Sequence, residues 1–127
     1  MAMAKEMMGG GLSAGAAKAI NGGQNLTVSA AGSTIADATE LKAGHNVITT
    51  ITAGQGVKCD SQAEIGDEIY IYNATTGLTG VVLTVYAQTS SQTINQLAAG
   101  TGMLLAPATA VWLKRASNTA WTGNLSA

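Results

Sequence analysis

The feature that most constrains the fold is an alternation of two kinds of short segment, which extends over all but the N-terminal part of the chain. Short runs of β-branched and aromatic residues alternate with clusters of Gly, Asn, Asp and Ser, which is typical of strands separated by turns. The clearest run is residues 68–73. Ile69 and Ile71 are predicted to point to one face of this strand and Tyr70 and Tyr72 to the other, because side chains alternate along a strand.

Other segments share this composition and are also predicted to be strands: residues 26–30, 46–53, 57–59, 81–86, 103–106 and 110–115, with Trp121 on a short last strand. The run at 81–86 follows the run at 68–73 after a loop of hairpin length, so we expect these two to pair antiparallel. About seven strands, frequent turn signals and no long helical period predict one all-β domain. We expect this domain to be a single β-sandwich or jelly roll over residues 26–127.

The N-terminal segment has a different composition, rich in Gly, Ala and Met and poor in bulky apolar side chains. Its glycines interrupt any helical continuity, and it offers too little apolar surface to hold a core. We therefore predict an extended, flexible Gly/Ala-rich arm at residues 1–25 that orders only against another molecule.

The charge content limits the partners. Only 10% of residues are charged, the net charge is -1, and the six basic residues are scattered, so the chain has no electrostatic footprint for nucleic acid or for an acidic membrane. No stretch reaches the roughly 18 continuous apolar residues of a membrane span. We predict neither a nucleic-acid partner nor a membrane partner. We expect instead a surface that packs on protein.

Two residues are the obvious candidates for chemistry. His45 is the single histidine and lies in a turn before a predicted strand, with no Ser or Cys nucleophile pattern beside it. We interpret it as a surface or interface histidine. Cys59 follows Lys58, but it ends an apolar strand, where a buried cysteine behaves as a small hydrophobic residue. No catalytic residue is predicted, and we expect that the chain is not an enzyme.

Metal and cofactor motifs are weak. The densest acidic group lacks the residue order of a calcium loop, and we interpret it as a solvated loop: Asp60, Glu64, Asp67 and Glu68. The similar runs Ala53-Gly54-Gln55-Gly56 and Ala99-Gly100-Thr101-Gly102 miss the Lys-Ser/Thr of a phosphate loop and are interpreted as tight turns ahead of a strand. No metal and no cofactor is expected.

The aromatic residues are the best candidates for contacts. Trp112 and Trp121 are predicted to anchor the core or an interface between protomers. A carbohydrate platform would need carboxylates and amides beside an exposed ring, and in sequence only Asn118 lies close to Trp121. Large aromatic side chains dominate protein interfaces, and four of them are predicted to do so here: Tyr70, Tyr72, Tyr86 and Trp112.

Several of these segments, taken in order, resemble small structural proteins of tailed bacteriophages. The resemblance covers roughly residues 40–123 and rests on the runs 46–58, 66–73, 82–86, Thr93-Ile94-Asn95 and 110–113, followed by Trp121. The chain departs from the family pattern at Cys59-Asp60, where Leu-Pro is usual, and at Tyr86-Ala87, where a proline is usual. These departures affect loop geometry more than fold.

The resemblance implies a virion structural protein, specifically a capsid decoration or cement subunit at the capsid surface that is made in the cytoplasm of a bacterial host. Its expected partners are the major capsid protein and other copies of itself, as a dimer or trimer. The alternative is a receptor- or glycan-binding module of a phage tail or head fibre, because the same fold with exposed loops serves either role.

Overall fold

The computed structural model describes residues 23–76 and 80–126. These residues form ten strands and contain no helix: β1 (Gln24–Ser29), β2 (Thr39–Glu40), β3 (His45–Thr50), β4 (Gly56–Lys58), β5 (Glu68–Asn73), β6 (Leu83–Tyr86), β7 (Thr93–Ile94), β8 (Met103–Leu105), β9 (Ala110–Arg115) and β10 (Ala120–Leu125). The prediction of an all-β fold is confirmed.

The strands belong to two sheets, and the chain passes from one sheet to the other at every step from β1 to β9. In spatial order, β1-β3-β5-β9-β10-β7 make a six-stranded sheet and β2-β4-β6-β8 a four-stranded sheet. Strands β1, β3 and β5 pair in parallel, as do β2, β4 and β6. Each return to a sheet therefore stacks a new coil on the preceding one, which gives a β-solenoid-like arrangement.

The predicted β-sandwich or jelly roll is wrong, because those folds are built largely from antiparallel neighbours. The predicted hairpin between residues 68–73 and 81–86 is also wrong, because these two strands lie in different sheets. Strand β5 pairs with β3 and β9, whereas β6 lies in the other sheet between β4 and β8. Ile69 and Ile71 of β5 and Leu83 and Val85 of β6 all enter the core, so the alternating pattern was right and only the choice of partner strand was wrong.

The parallel stacking ends after three coils. Strand β8 pairs antiparallel with β6, and β9 pairs antiparallel with β5, so the fourth pass of the chain runs against the third. Strand β10 then pairs antiparallel with β9, and the short β7 pairs parallel with β10 at the edge of the sheet. The last part of the chain thus covers the end of the coil stack.

Inward side chains from both sheets form one hydrophobic cluster. Ile69 and Ile71 are 4% and 0% exposed, whereas Tyr70 and Tyr72 are less buried. The predicted alternation along β5 is confirmed, and the isoleucines occupy its inner face. The largest fully buried apolar side chains are those of Trp121, Leu41, Ile48, Ile71, Leu83, Ile94, Leu105 and Leu113.

The two similar Ala-Gly-x-Gly runs lie beneath the ring of Tyr86. The first glycine of each has a left-handed φ, 85° at Gly54 and 79° at Gly100, a conformation that glycine adopts without strain. A Cβ on the second glycine would lie 2.9 Å from the Tyr86 ring, from Cε2 at Gly56 and from Cε1 at Gly102. The prediction of tight turns ahead of strands is confirmed, and these glycines also make room for an aromatic ring.

The predicted arm, residues 1–25, lies outside the described residues except for its last three. Two of those three, Gln24 and Asn25, belong to β1. The described β domain therefore begins slightly earlier than the predicted boundary at residue 26.

Replacement of Ile71 by alanine is expected to lower the free energy of unfolding by about 2–5 kcal/mol, because a fully buried side chain leaves a cavity when truncated. Urea denaturation followed by tryptophan fluorescence measures the change. Glu68→Ala, at an exposed position of the same strand, is the matched control and should unfold near the parent midpoint. Equal midpoints for Ile71→Ala and the parent chain would contradict the packing.

Candidate functional site

An aromatic row crosses the outer face of the six-stranded sheet, made by His45, Tyr70 and Trp112. The strand register places His45 opposite Tyr70, and Tyr70 opposite Trp112. The His45 and Tyr70 ring centroids are 4.5 Å apart, and those of Tyr70 and Trp112 are 4.6 Å apart in an edge-to-face arrangement. Edge-to-face contact is a favoured geometry for aromatic pairs, so each ring restrains its neighbour.

The alternation of β9 explains why Trp112 is exposed. Its neighbours Val111 and Leu113 are fully buried, whereas Trp112 is 53% exposed on the opposite face. Strand β9 is hydrogen-bonded on both sides, to β5 and to β10. A large ring at the surface is therefore carried by a central strand rather than by a loop.

Polar side chains surround the exposed ring of Trp112. The register places Asn124 opposite Trp112 and, one step along the strands, places Glu68 and Thr122 on either side of Lys114. Together these residues line a shallow depression of about 340 Å³, here named the Trp112 depression: Glu68, Asn95, Trp112, Leu113, Lys114, Thr122, Gly123 and Asn124.

Asn95 closes one side of the Trp112 depression in a fixed conformation. It has a left-handed φ of 52°, and its backbone N–H donates to the Trp121 carbonyl over 2.8 Å. Its side-chain oxygen accepts the Gly123 backbone N–H over 2.9 Å. Sequence reasoning did not single out Asn95 as a site residue, because its approach to Gly123 depends on the pairing of β7 with β10.

The four predicted contact residues do not form one surface. Tyr72 shares the outer face of the six-stranded sheet with Tyr70 and Trp112, one step along β5. Tyr86 lies on the outer face of the four-stranded sheet, where its hydroxyl donates to the Ser33 carbonyl over 3.2 Å. The structure therefore brings three of the four candidates together and leaves Tyr86 on the opposite side.

Trp121 lies in the core, which is one of the two locations predicted for it. It is fully buried, and its indole N–H donates to Oε1 of Gln92 over 3.0 Å. The Gln92 amide also donates to Oε1 of Gln88 over 2.9 Å, and Gln88 in turn donates to the Ala63 carbonyl over 2.8 Å. The buried Gln92 and the half-buried Gln88, which the sequence did not reveal, hold the loops before β5 and β7 against the core.

The remaining candidates for chemistry stand apart from the Trp112 depression. Cys59 is 1% exposed, and burial raises the pKa of its thiol, an effect to which the nearby Asp60 carboxylate adds. This agrees with the interpretation of Cys59 as a small hydrophobic residue. His45 lies half-buried in the aromatic row, which places it at the surface, as predicted.

The acidic residues do not converge on one point. Asp60 approaches the Lys42 ammonium at 3.6 Å, and the Asp67 carboxylate accepts the Glu64 backbone N–H over 2.8 Å. Glu68 lies on the outer face of the six-stranded sheet. Among residues 23–76 and 80–126, no group of three or more His, Cys, Asp or Glu side chains is arranged to hold a metal ion.

A small ion-pair cluster lies at the edge of the four-stranded sheet. The hydrogen bond from Lys42 is the main cause that lowers the pKa of the Glu40 carboxyl to about 2, against an opposing effect of burial. The Ser61 backbone N–H and hydroxyl donate to the same carboxylate oxygen, over 3.2 and 3.1 Å. Through these bonds the Glu40 carboxylate on β2 holds Ser61 in place, and with it the loop that follows β4.

Comparison with known proteins adds no relative: no family model, no curated protein and no solved structure matches the chain. Within the part of the chain that the structure describes, no helix is long and apolar enough to cross a membrane.

Cys59 is expected to resist thiol reagents in the folded protein. Its raised pKa keeps the thiol protonated at pH values where an exposed cysteine is partly thiolate, and burial blocks access. Titration with a chromogenic disulfide at pH 8 should give a slow reaction that becomes fast in denaturant. Equally fast reaction in the native and denatured states would show that the thiol is accessible.

Proposed function

We propose that the chain is a virion structural protein, a decoration or cement subunit that attaches to the major capsid protein of a tailed bacteriophage. The observation that carries the proposal is the aromatic row on the outer face of the six-stranded sheet. Large, restrained aromatic side chains bind partners with little loss of conformational freedom. The resemblance in sequence supplies the class of partner.

The composition of the chain favours a protein surface as the target of the aromatic row. Tyr72 extends the aromatic surface along β5, and the chain as a whole has only 10% charged residues. Interface centres are enriched in aromatic residues and depleted in charge. Many copies on one shell would add their individual contacts, so the affinity of a single copy need not be high.

Self-association is the second part of the proposal. In the described ranges, β1 and β7 are the edges of the six-stranded sheet, and β2 and β8 are the edges of the four-stranded sheet. Strand β1 contains neither charge nor proline, and Leu26 on it is 51% exposed, while Leu104 on β8 is 67% exposed. Such edges template pairing with other chains unless they are covered, which favours a dimer or trimer.

A receptor- or glycan-binding module of a tail or head fibre is the second candidate function. The observation in its favour is the Trp112 depression, where an exposed ring lies beside a carboxylate and two amides. The sequence alone placed no such groups near Trp112.

Replacing Trp112 or the pair Tyr70 and Tyr72 by alanine is expected to weaken attachment to capsid shells about tenfold or more, since aromatic anchors dominate interface energies. Co-sedimentation of the purified protein with undecorated shells of the encoding phage measures the effect. Val82→Ala is the matched control, because it truncates an exposed apolar side chain just before β6 of the other sheet. Loss of binding by Val82→Ala alone would place the capsid contact on the four-stranded sheet.

Sedimentation velocity of the full chain at micromolar concentration is expected to show a dimer or trimer, because pairing covers the exposed sheet edges. Leu26→Lys, which adds charge to β1, should shift the population towards monomer if β1 is the associating edge. A parent protein that stays monomeric across this concentration range would contradict self-association.

A further inference from the structure

We propose that the Trp112 depression is a binding site for a neutral oligosaccharide. The inference supplies a site and a ligand class for the second candidate function. Trp112 belongs both to the aromatic row and to the depression, so one copy of the chain uses this ring either for a shell or for a sugar.

Trp112 provides the stacking surface. A pyranose ring presents a face of C–H groups, which are apolar and weakly positive, and an indole ring presents an apolar face with excess electron density. Trp112 is 53% exposed, and its ring contacts Tyr70 at a centroid distance of 4.6 Å. The indole is therefore open to a sugar while its neighbour restrains it, which reduces the entropy lost on binding.

The polar groups around Trp112 suit sugar hydroxyl groups. Asn95 and Asn124 carry amides, which both donate and accept hydrogen bonds, and Thr122 carries a hydroxyl that does the same. Asn95 is held by its bond from Gly123, so its position is set before a ligand arrives. The exposed Thr122 hydroxyl and Asn124 amide are the groups that a hydroxyl-rich ligand can hydrogen-bond beside the ring.

The charges of the depression favour a ligand without net charge. Glu68 and Lys114 are its two charged residues, and the register places them directly opposite each other on β5 and β9. Their opposite charges balance, so no excess positive field attracts sialylated or sulfated sugars. Both side chains remain strong hydrogen-bonding groups for hydroxyls.

The size of the depression limits the length of the ligand that it contacts. Its volume of about 340 Å³ is at the lower end of the roughly 300–1,000 Å³ of small-molecule sites. It accommodates one or two sugar units, with the rest of the oligosaccharide in solvent. Shallow sites of this kind bind weakly, so we expect millimolar affinity that repeated copies on a particle would strengthen.

The test is an NMR titration of the uniformly ¹⁵N-labelled full chain. The chain has two tryptophans, so the spectrum has two indole N–H signals, and the buried Trp121 is an internal reference for the exposed Trp112. The probes are neutral trisaccharides of glucose, galactose, mannose and N-acetylglucosamine, with sialylated and sulfated trisaccharides as the anionic set. At least one neutral probe should shift the Trp112 signal with saturation and leave the Trp121 signal in place.

Variants assign the effect to the depression. In the Trp112 variants, binding is followed by the backbone N–H signals of Thr122 and Gly123, which line the depression. Trp112→Ala should weaken binding about tenfold or more, Trp112→Phe should retain part of it, and Asn124→Ala should weaken it by a smaller factor. Val82→Ala, which truncates an exposed apolar side chain just before β6 of the other sheet, should bind like the parent. An unchanged Trp121 signal in each variant shows that the core has kept its fold.

Two results would overturn the inference: no saturable shift of Trp112 with any neutral probe in the millimolar range, or saturable binding of the anionic set alone. Co-sedimentation with shells is measured on the same preparations. A chain that binds shells but no sugar overturns this inference and leaves the capsid proposal standing. A chain that binds sugar but no shells overturns the capsid proposal and leaves this inference standing.

Discussion

The carboxamide of Asn73 joins the two sheets at the place where the coil stack reverses direction. Asn73 is fully buried at the end of β5, and its amide donates to the Val81 carbonyl over 2.8 Å and to the Leu105 carbonyl over 3.0 Å. Its side-chain oxygen accepts the Thr75 backbone N–H over 3.1 Å. One satisfied buried amide thus connects the six-stranded sheet to β8 and to the chain entering β6. A buried polar group of this kind is costly when any partner is lost, and so it favours this one arrangement of the last coil.

The sequence predicts part of this fold through the two-residue period of apolar side chains along each strand. The period identifies which side chains face inward, and β5 and β9 were predicted with the bounds that the structure has. It carries no information on which strands become neighbours, because Ile71 and Val85 are buried equally well in either sheet. The two-residue strands β2 and β7 are too short to show any period at all, and without β2 the passage between sheets cannot be recognised.

In the candidate site too, the sequence predicted the residues but not which of them become neighbours. Tyr70 was identified as outward-facing from the alternation within β5, and Trp112 was identified from its residue type. Their contact depends on the antiparallel register of β5 with β9, which only the assembled sheet defines. Tyr86 has the same residue type and strand context as Tyr70, yet it lies on the opposite side of the molecule over Gly56 and Gly102. Residue type therefore selected the aromatic candidates, and topology decides which of them share a surface.

The reversed last pass has a consequence for how the protein is made. Strands β5 and β6 emerge from the ribosome well before β8 and β9, which are their partners. Until residues 103–115 have been synthesised, both sheets of the nascent coil stack end in unpaired backbone groups, and such edges are prone to pair with neighbouring chains. Contacts between segments far apart in sequence also form slowly. The interval between synthesis of β6 and synthesis of β9 is thus the period of greatest vulnerability to aggregation, and prematurely terminated chains would remain in that state.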